Sequence, residues 1–202
     1  MTALILLGPP GVGKGTQAAW LSRCLQIPTI STGQIFRTNI AEGTQLGLMA
    51  DSYISKGEFV PDSVTIPMLE ARLSAPDTEG GFILDGFPRN LTQAHALRDI
   101  LAKMGHPLDA VLELTAPTEV LVERMLKRSG EESRVDDSRE VFEHRLEVYH
   151  DQTEPIATYY ADQDLLDPIS AAASVPEVGR EMLEALAARG LCPDANPDCD
   201  FE

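Results

Sequence analysis

Gly8-Pro9-Pro10-Gly11-Val12-Gly13-Lys14-Gly15-Thr16 is the stretch that decides the fold of this chain. It follows the apolar run Ala3-Leu4-Ile5-Leu6-Leu7, read as a buried strand. It precedes a helical pattern over Thr16–Leu25, with Ala18, Leu21, Cys24 and Leu25 on one face. A glycine-rich turn between strand and helix lets backbone N–H groups converge on one phosphate. Glycine keeps side chains out of that convergence. The helix adds its positive end, and Lys14 adds a full charge, so the stretch suits the β and γ phosphates of a nucleotide. One position departs from the general pattern. Where a Ser or Thr hydroxyl usually follows the lysine and meets Mg2+, Gly15 stands and Thr16 comes next.

Outward from this loop, apolar runs alternate with longer helical patterns. Pro28–Ile30, Phe82–Leu84 and Ala110–Leu114 read as strands, and Leu165–Ile169 as a weaker one. Helices are predicted over 33–41, 45–55, 62–73, 91–104, 118–128, 138–163 (interrupted at Pro155) and 176–188, punctuated by prolines near starts and glycines past ends. The alternation predicts an α/β, three-layer fold with a central parallel sheet of about five strands covered on both faces. Residues 31–60, helical without an intervening strand, and the polar run 129–136 interrupt it. Both read as inserts on the ligand side of the sheet.

A second motif ends a predicted strand: Phe82-Ile83-Leu84-Asp85-Gly86-Phe87-Pro88-Arg89. A carboxylate there can reach Mg2+ directly or through water, which makes Asp85 the candidate metal residue. Gly86 allows close backbone approach, and Arg89 carries a fork suited to a phosphate.

The charge pattern bounds the partners. The 202 residues, enough for one domain, carry a net charge of −16. Residues 1–41 hold Lys14, Arg23 and Arg37 and no acid, residues 42–149 hold 11 bases and 20 acids, and residues 150–202 hold 2 bases and 12 acids. This disfavours nucleic acid and anionic membrane as partners while leaving a positive segment around the loop. No stretch approaches the length of a membrane span, and the first apolar run is too short for a signal sequence. Cys24, Cys192 and Cys199 make no CxxC pair, so neither a disulfide scaffold nor a zinc site is expected, and a reducing cytoplasm fits. His95, His106, His144 and His150 read as exposed polar positions. Trp20, Tyr159, Tyr160 and Cys24 read as packing residues.

Gly8–Thr16 with its Gly-Lys-Gly-Thr ending, Ser31-Thr32-Gly33, Asp85-Gly86-Phe87-Pro88-Arg89 and the arginine-bearing stretch 124–145 together resemble adenylate kinases, over about residues 1–189. The resemblance implies a nucleoside monophosphate kinase. Such an enzyme moves the γ-phosphoryl of MgATP reversibly to AMP, giving two ADP. It serves nucleotide biosynthesis and adenine nucleotide homeostasis. The fold it implies has a core over 1–30, 61–128 and 137–190, an AMP-binding insert over 31–60 and a lid over 129–136. The lid is of the short bacterial type without structural zinc. Outside the resemblance, the Pro- and Asp-rich composition of residues 191–202 predicts a disordered acidic tail. A cytoplasmic monomer is expected.

Position by position, the resemblance implies that Gly11, Val12, Gly13, Lys14, Gly15 and Thr16 cradle the ATP phosphates. Arg124, Arg128 and Ala173 stand on the ATP side, Ala173 where the family usually has a glycine-containing turn. Thr32, Gly33, Arg37, Glu58, Phe59, Val60, Gly86, Phe87, Pro88, Arg89 and Gln93 meet AMP. Arg134 and Arg145 close on the transferring phosphoryl. Lys14, Asp85, Arg89, Arg124, Arg134 and Arg145 form the catalytic set. A site of arginines, lysine and Mg2+ without histidine suits this chemistry, because a phosphate oxygen is already a deprotonated nucleophile. The family's usual acid after Thr-Gly is replaced by Gln34, the warrant for a rival reading as a non-catalytic nucleotide-binding switch. The nearer rival is a UMP/CMP kinase of the same fold. Those tend to carry Ala at the position of Thr32 and Asn at that of Gln93, so both residues favour AMP here.

Overall fold

In the computed structural model, which describes residues 1–131 and 139–191 and all their side chains except those of 128–131, the apolar runs pair as one parallel sheet. Its strands are β1 (Thr2–Leu7), β2 (Thr29–Ser31), β3 (Gly81–Asp85), β4 (Ala110–Thr115) and β5 (Leu166–Ser170), in the order β2-β3-β1-β4-β5. β1 pairs in register with Gly81–Asp85 on one side and with Ala110–Glu113 on the other. Its connection runs toward β2, whereas β3 and β4 send theirs the opposite way. The loop after β1 therefore sits where the winding reverses, the place at which open parallel sheets bind ligands. β5 is an edge strand, which lets it keep Pro168 without losing a ladder bond.

The helices are α1 (Lys14–Leu25), α2 (Thr32–Ala41), α3 (Gln45–Ile54), α4 (Asp62–Leu73), α5 (Leu91–Met104), α6 (Thr118–Glu131), α7 (Arg139–Val148), α8 (Glu154–Ala161) and α9 (Val175–Ala188). Strand alternation feeds two cores. Leu4 and Leu6 of β1 join Trp20, Leu21, Met125, Phe142 and Met182 on one face. Ala3, Ile5 and Leu7 join Leu69, Phe82, Leu97, Ile156 and Tyr160 on the other. A third, small cluster of Phe36, Ala50 and Val60 belongs to the α2–α3 segment and its exit. Local sequence supplies the helix starts: Ser31, Thr44 and Asn90 accept backbone N–H bonds from Gln34, Gly47 and Gln93. Ser174 and Glu177 form a capping box on α9, and their hydrogen bond lowers the Glu177 pKa.

Several boundaries differ from the sequence expectation by a residue or two, and three differences bear on the site. α1 begins at Lys14 rather than Thr16, because Gly13 (φ 104°) already turns the chain into the helix. α6 passes Arg128 and runs through Gly130 to Glu131, so the expected 129–136 segment starts inside a helix. A single glycine costs a helix only about 1 kcal/mol and does not end it. The long helix breaks over a π turn at Tyr149–Thr153, just before Pro155. Proline has no N–H for the carbonyl four residues back. One residue earlier, the Glu154 N–H donates to the Tyr149 carbonyl, five residues back rather than four.

Candidate active site

The carboxyl ends of β1, β2 and β3 bring the two sequence motifs side by side. The phosphate loop leaves β1 at Gly8, where backbone crowding enforces glycine: a methyl group there would lie 2.4 Å from the Leu114 carbonyl oxygen, at a φ of 139°. Lys14, the first residue of α1, donates from Nζ to the carbonyls of Gly8 (2.7 Å) and Pro9 (2.9 Å). Gly15 and Thr16 are exposed on the open side of the loop, and Val12 is buried beneath it. Arg124 on α6 clamps the loop from behind. Its Nη1 donates to the Val12 carbonyl (3.0 Å) and its Nη2 to the Ala171 carbonyl (2.8 Å).

Asp85 closes β3. Its Oδ2 accepts from the Ser31 hydroxyl (3.1 Å) and lies 3.9 Å from a methyl group built on Gly15. The carboxylate thus faces the phosphate loop at the position where the usual hydroxyl is missing. Gly86 (φ 78°) follows. Its carbonyl accepts from the Thr32 hydroxyl (2.8 Å) and from Arg89 Nε (2.7 Å). The Arg89 guanidinium stacks over the Phe59 ring at 4.9 Å, and Thr153 of the π turn donates to the Arg89 carbonyl (2.8 Å).

Two cavities meet at this point. The first is lined by Thr32, Gly33, Arg37, Glu58, Phe59, Val60, Gly86, Arg89, Gln93 and Arg145, among others. The second is lined by Gly8, Pro10, Lys14, Phe59, Gly86, Pro88, Arg89, Arg145, Tyr149 and Thr153 together with the end of β1. Phe59, Gly86, Arg89 and Arg145 are common to both. A ligand in each would place its end against the same pair of arginines.

Most of the residues singled out in the sequence thus lie on one continuous surface. Phe87 is 1% exposed and packs in the core, so its side chain supports the loop rather than lining a cavity. Ala173 is exposed in the turn before α9 and lines neither cavity; it is the Ala171 carbonyl that Arg124 holds. Gln34 accepts from Arg37 Nη2 (3.2 Å), which ties the residue in the place of the usual acid to a site arginine. The Arg128 side chain and Arg134 lie outside the described residues, as do Cys192 and Cys199.

Some residues gave no sequence signal. Asp62, Tyr149 and Thr153 enter through the tertiary arrangement alone. His144, expected as a bland surface position, contacts Glu58 across the edge of the first cavity (2.9 Å), and Glu147 lies 3.5 Å away. Glu58 first and Glu147 second raise its pKa above the ordinary 6.5. Burial, then Glu113 and Glu154, push the Tyr149 phenol up, so it faces the second cavity as an O–H. Among the described residues no cluster of three metal-binding side chains occurs, and no helix is long and apolar enough to cross a membrane.

A glycine-rich loop at the reversal of a parallel sheet, with a lysine on one cavity and arginines shared with a second, defines a phosphate-loop nucleotide-binding protein. Comparison with known proteins narrows the class. The adenylate kinase family model matches residues 6–165. The chain is 49% identical to an adenylate kinase of Xylella fastidiosa over 91% of this chain and 98% of that relative. It is 47% identical to one of Streptomyces coelicolor, covering 91% and 97%, and 45% identical to one of Thermobifida fusca, covering 92% and 98%. The chain belongs to the adenylate kinase family. It is therefore an enzyme, a nucleoside monophosphate kinase, and the UMP/CMP reading is not favoured.

Proposed function

We propose that this chain transfers the γ-phosphoryl group of MgATP to AMP, with ATP on the phosphate loop and AMP in the cavity that ends at Gln93. The observation that carries this reading is the pair of cavities sharing Arg89 and Arg145, with Lys14 in one and the buried Gln93 amide in the other. An AMP phosphate oxygen attacks the γ-phosphorus in line. The new bond is from that oxygen to phosphorus, and the bond from phosphorus to the oxygen bridging to the β-phosphate breaks. No general base is needed, because the attacking oxygen is already ionised.

The protein's work is positioning and charge neutralisation. Lys14 and the amides of Gly11 to Thr16 hold the β and γ phosphates. Arg89, Arg145 and Arg37 hold the AMP phosphate, joined by Arg134 and, on the ATP side, Arg128. Arg124 fixes the loop and has three N–H groups left for ATP. Thr32, Gly33, Glu58, Phe59, Val60 and Gly86 wall the AMP cavity, with Pro88 at the second. Mg2+, which arrives with ATP, neutralises charge on its phosphates. A lone carboxylate beside a phosphate loop suits an ion that keeps most of its waters, and Asp85 would hold it through water.

The α2–α3 segment has its own small apolar cluster, which suits an insert over 31–60 that closes together with 129–136 over the substrates and excludes water. An ATP–AMP bisubstrate analogue that left both segments unmoved would refute closure. A monomer is part of the same reading. Three cysteines in 202 residues with no CxxC pair fit a reducing cytoplasm.

The deciding assay presents MgATP with AMP, UMP, CMP or GMP separately and scores the diphosphate formed. AMP is expected to be preferred. Preference for UMP, or no turnover with any acceptor, overturns the reading.

A further inference from the structure

Asp62, the first residue of α4, touches neither cavity but holds the side chain that ends one of them. Gln93 is 1% exposed. Its Nε2 donates to Asp62 Oδ1 (2.6 Å), and its Oε1 accepts from the Arg89 backbone N–H (2.8 Å). The same carboxylate accepts from Asn90 Nδ2 at 3.1 and 3.2 Å, while Asn90 Oδ1 caps the Gln93 N–H (2.8 Å). A carboxylate can only accept and a backbone N–H can only donate. The two ends of the Gln93 amide are therefore assigned without ambiguity.

We propose that Asp62 sets base specificity by locking the Gln93 amide in the orientation that reads adenine. The inference rests on the reading above, that the AMP base lies against Gln93. After these bonds Gln93 has one N–H and one oxygen lone pair left. Adenine offers a 6-amino donor and an N1 acceptor, which match an amide held that way. Hypoxanthine has nearly the same shape and offers the reverse, a 6-oxo acceptor and an N1–H donor. For IMP the amide must turn over. That breaks the bond to Asp62 and presses the amide oxygen against a carboxylate. Asp62 is thus a positioning residue, and what it supplies is discrimination against the reversed pattern.

The test compares AMP and IMP as acceptors with wild type, Asp62→Asn, Asp62→Ala and Gln93→Ala. The ratio is read from kcat/KM, or from the inhibition constant of IMP against AMP where IMP turns over too slowly. Asp62→Asn is nearly isosteric and keeps the fold, and its carboxamide can donate to a turned Gln93 as well as accept from an unturned one. Both Asp62 variants are expected to lower the AMP-to-IMP ratio, Asp62→Ala by at least about tenfold, as befits loss of one charge-assisted bond that holds one of two orientations. The change should fall on KM far more than on kcat. Equal losses for AMP and IMP would mean a merely structural role and overturn the lock. If Gln93→Ala collapses the ratio while both Asp62 variants keep it, the lock fails and the site reading stands. If Gln93→Ala leaves the ratio unchanged, the placement of the base itself is wrong.

Discussion

Replacing Arg124 by lysine separates the charge of this residue from its geometry. One guanidinium spans two carbonyls that belong to different parts of the chain, Val12 in the phosphate loop and Ala171 after β5, at 3.0 and 2.8 Å. Lysine keeps the charge, but its single ammonium reaches only one of them. A hydrogen bond from a charged donor contributes about 1.5–3 kcal/mol, and the half-buried position of Arg124 puts each bond at the low end. Arg124→Lys should therefore cost about 1.5–2 kcal/mol. For a chain of this length that corresponds to a fall of roughly 3–8 °C in Tm. Arg124→Met loses both bonds and should fall about twice as far. Because the loop loses its rear clamp, KM for ATP should rise by about three- to tenfold while KM for AMP hardly moves. Thermal melts by circular dichroism and steady-state kinetics with each nucleotide varied in turn provide the readout. A Lys variant with wild-type Tm and wild-type KM for ATP would refute the idea that the two-carbonyl span holds the loop.

Lys14→Met should lower kcat by at least about a hundredfold with the fold retained by circular dichroism, since a preorganised charge on the phosphates is lost; a near-normal rate would remove Lys14 from the site. Gly47→Ala should destabilise the α2–α3 pair by about 1–3 kcal/mol and raise KM for AMP more than for ATP, because the added methyl would lie 2.1 Å from the Asn39 carbonyl oxygen. Thermal melts and kinetics check it. The His144 imidazole should titrate above 6.5 by NMR, and Glu58→Gln should bring it down. A pKa raised by folding means that the contact is fully present below the ordinary value and lost as pH rises through the raised one. The tie between the edge of the first cavity and α7 should therefore loosen on the alkaline side.

Much of the site was legible because its residues are neighbours in sequence. The loop Gly8–Thr16 and the block Asp85–Arg89 each supply several groups from one short turn, and composition plus flanking hydrophobic runs expose both. Asp62 shows what is not legible. In sequence it is an acid after Pro61 at a helix start, one of many, and its meaning comes from Gln93, 31 residues away. His144 likewise reads as one polar residue on a helix until Glu58 is seen across from it.

By itself the sequence determined the α/β alternation, the phosphate loop and the positive segment that houses it. These rest on local rules: apolar periodicity, glycine's freedom from a side chain, and the dipole of a helix that starts where a strand ends. Only the tertiary structure decided which strands are neighbours and so which loops face one another. It set Arg124 on two carbonyls, turned the Asp85 carboxylate toward Gly15, joined two cavities through Arg89 and Arg145, and fixed the direction of the Gln93 amide. Hydrogen bonds and stacking depend on distance and angle across the fold, and no spacing along the chain encodes them.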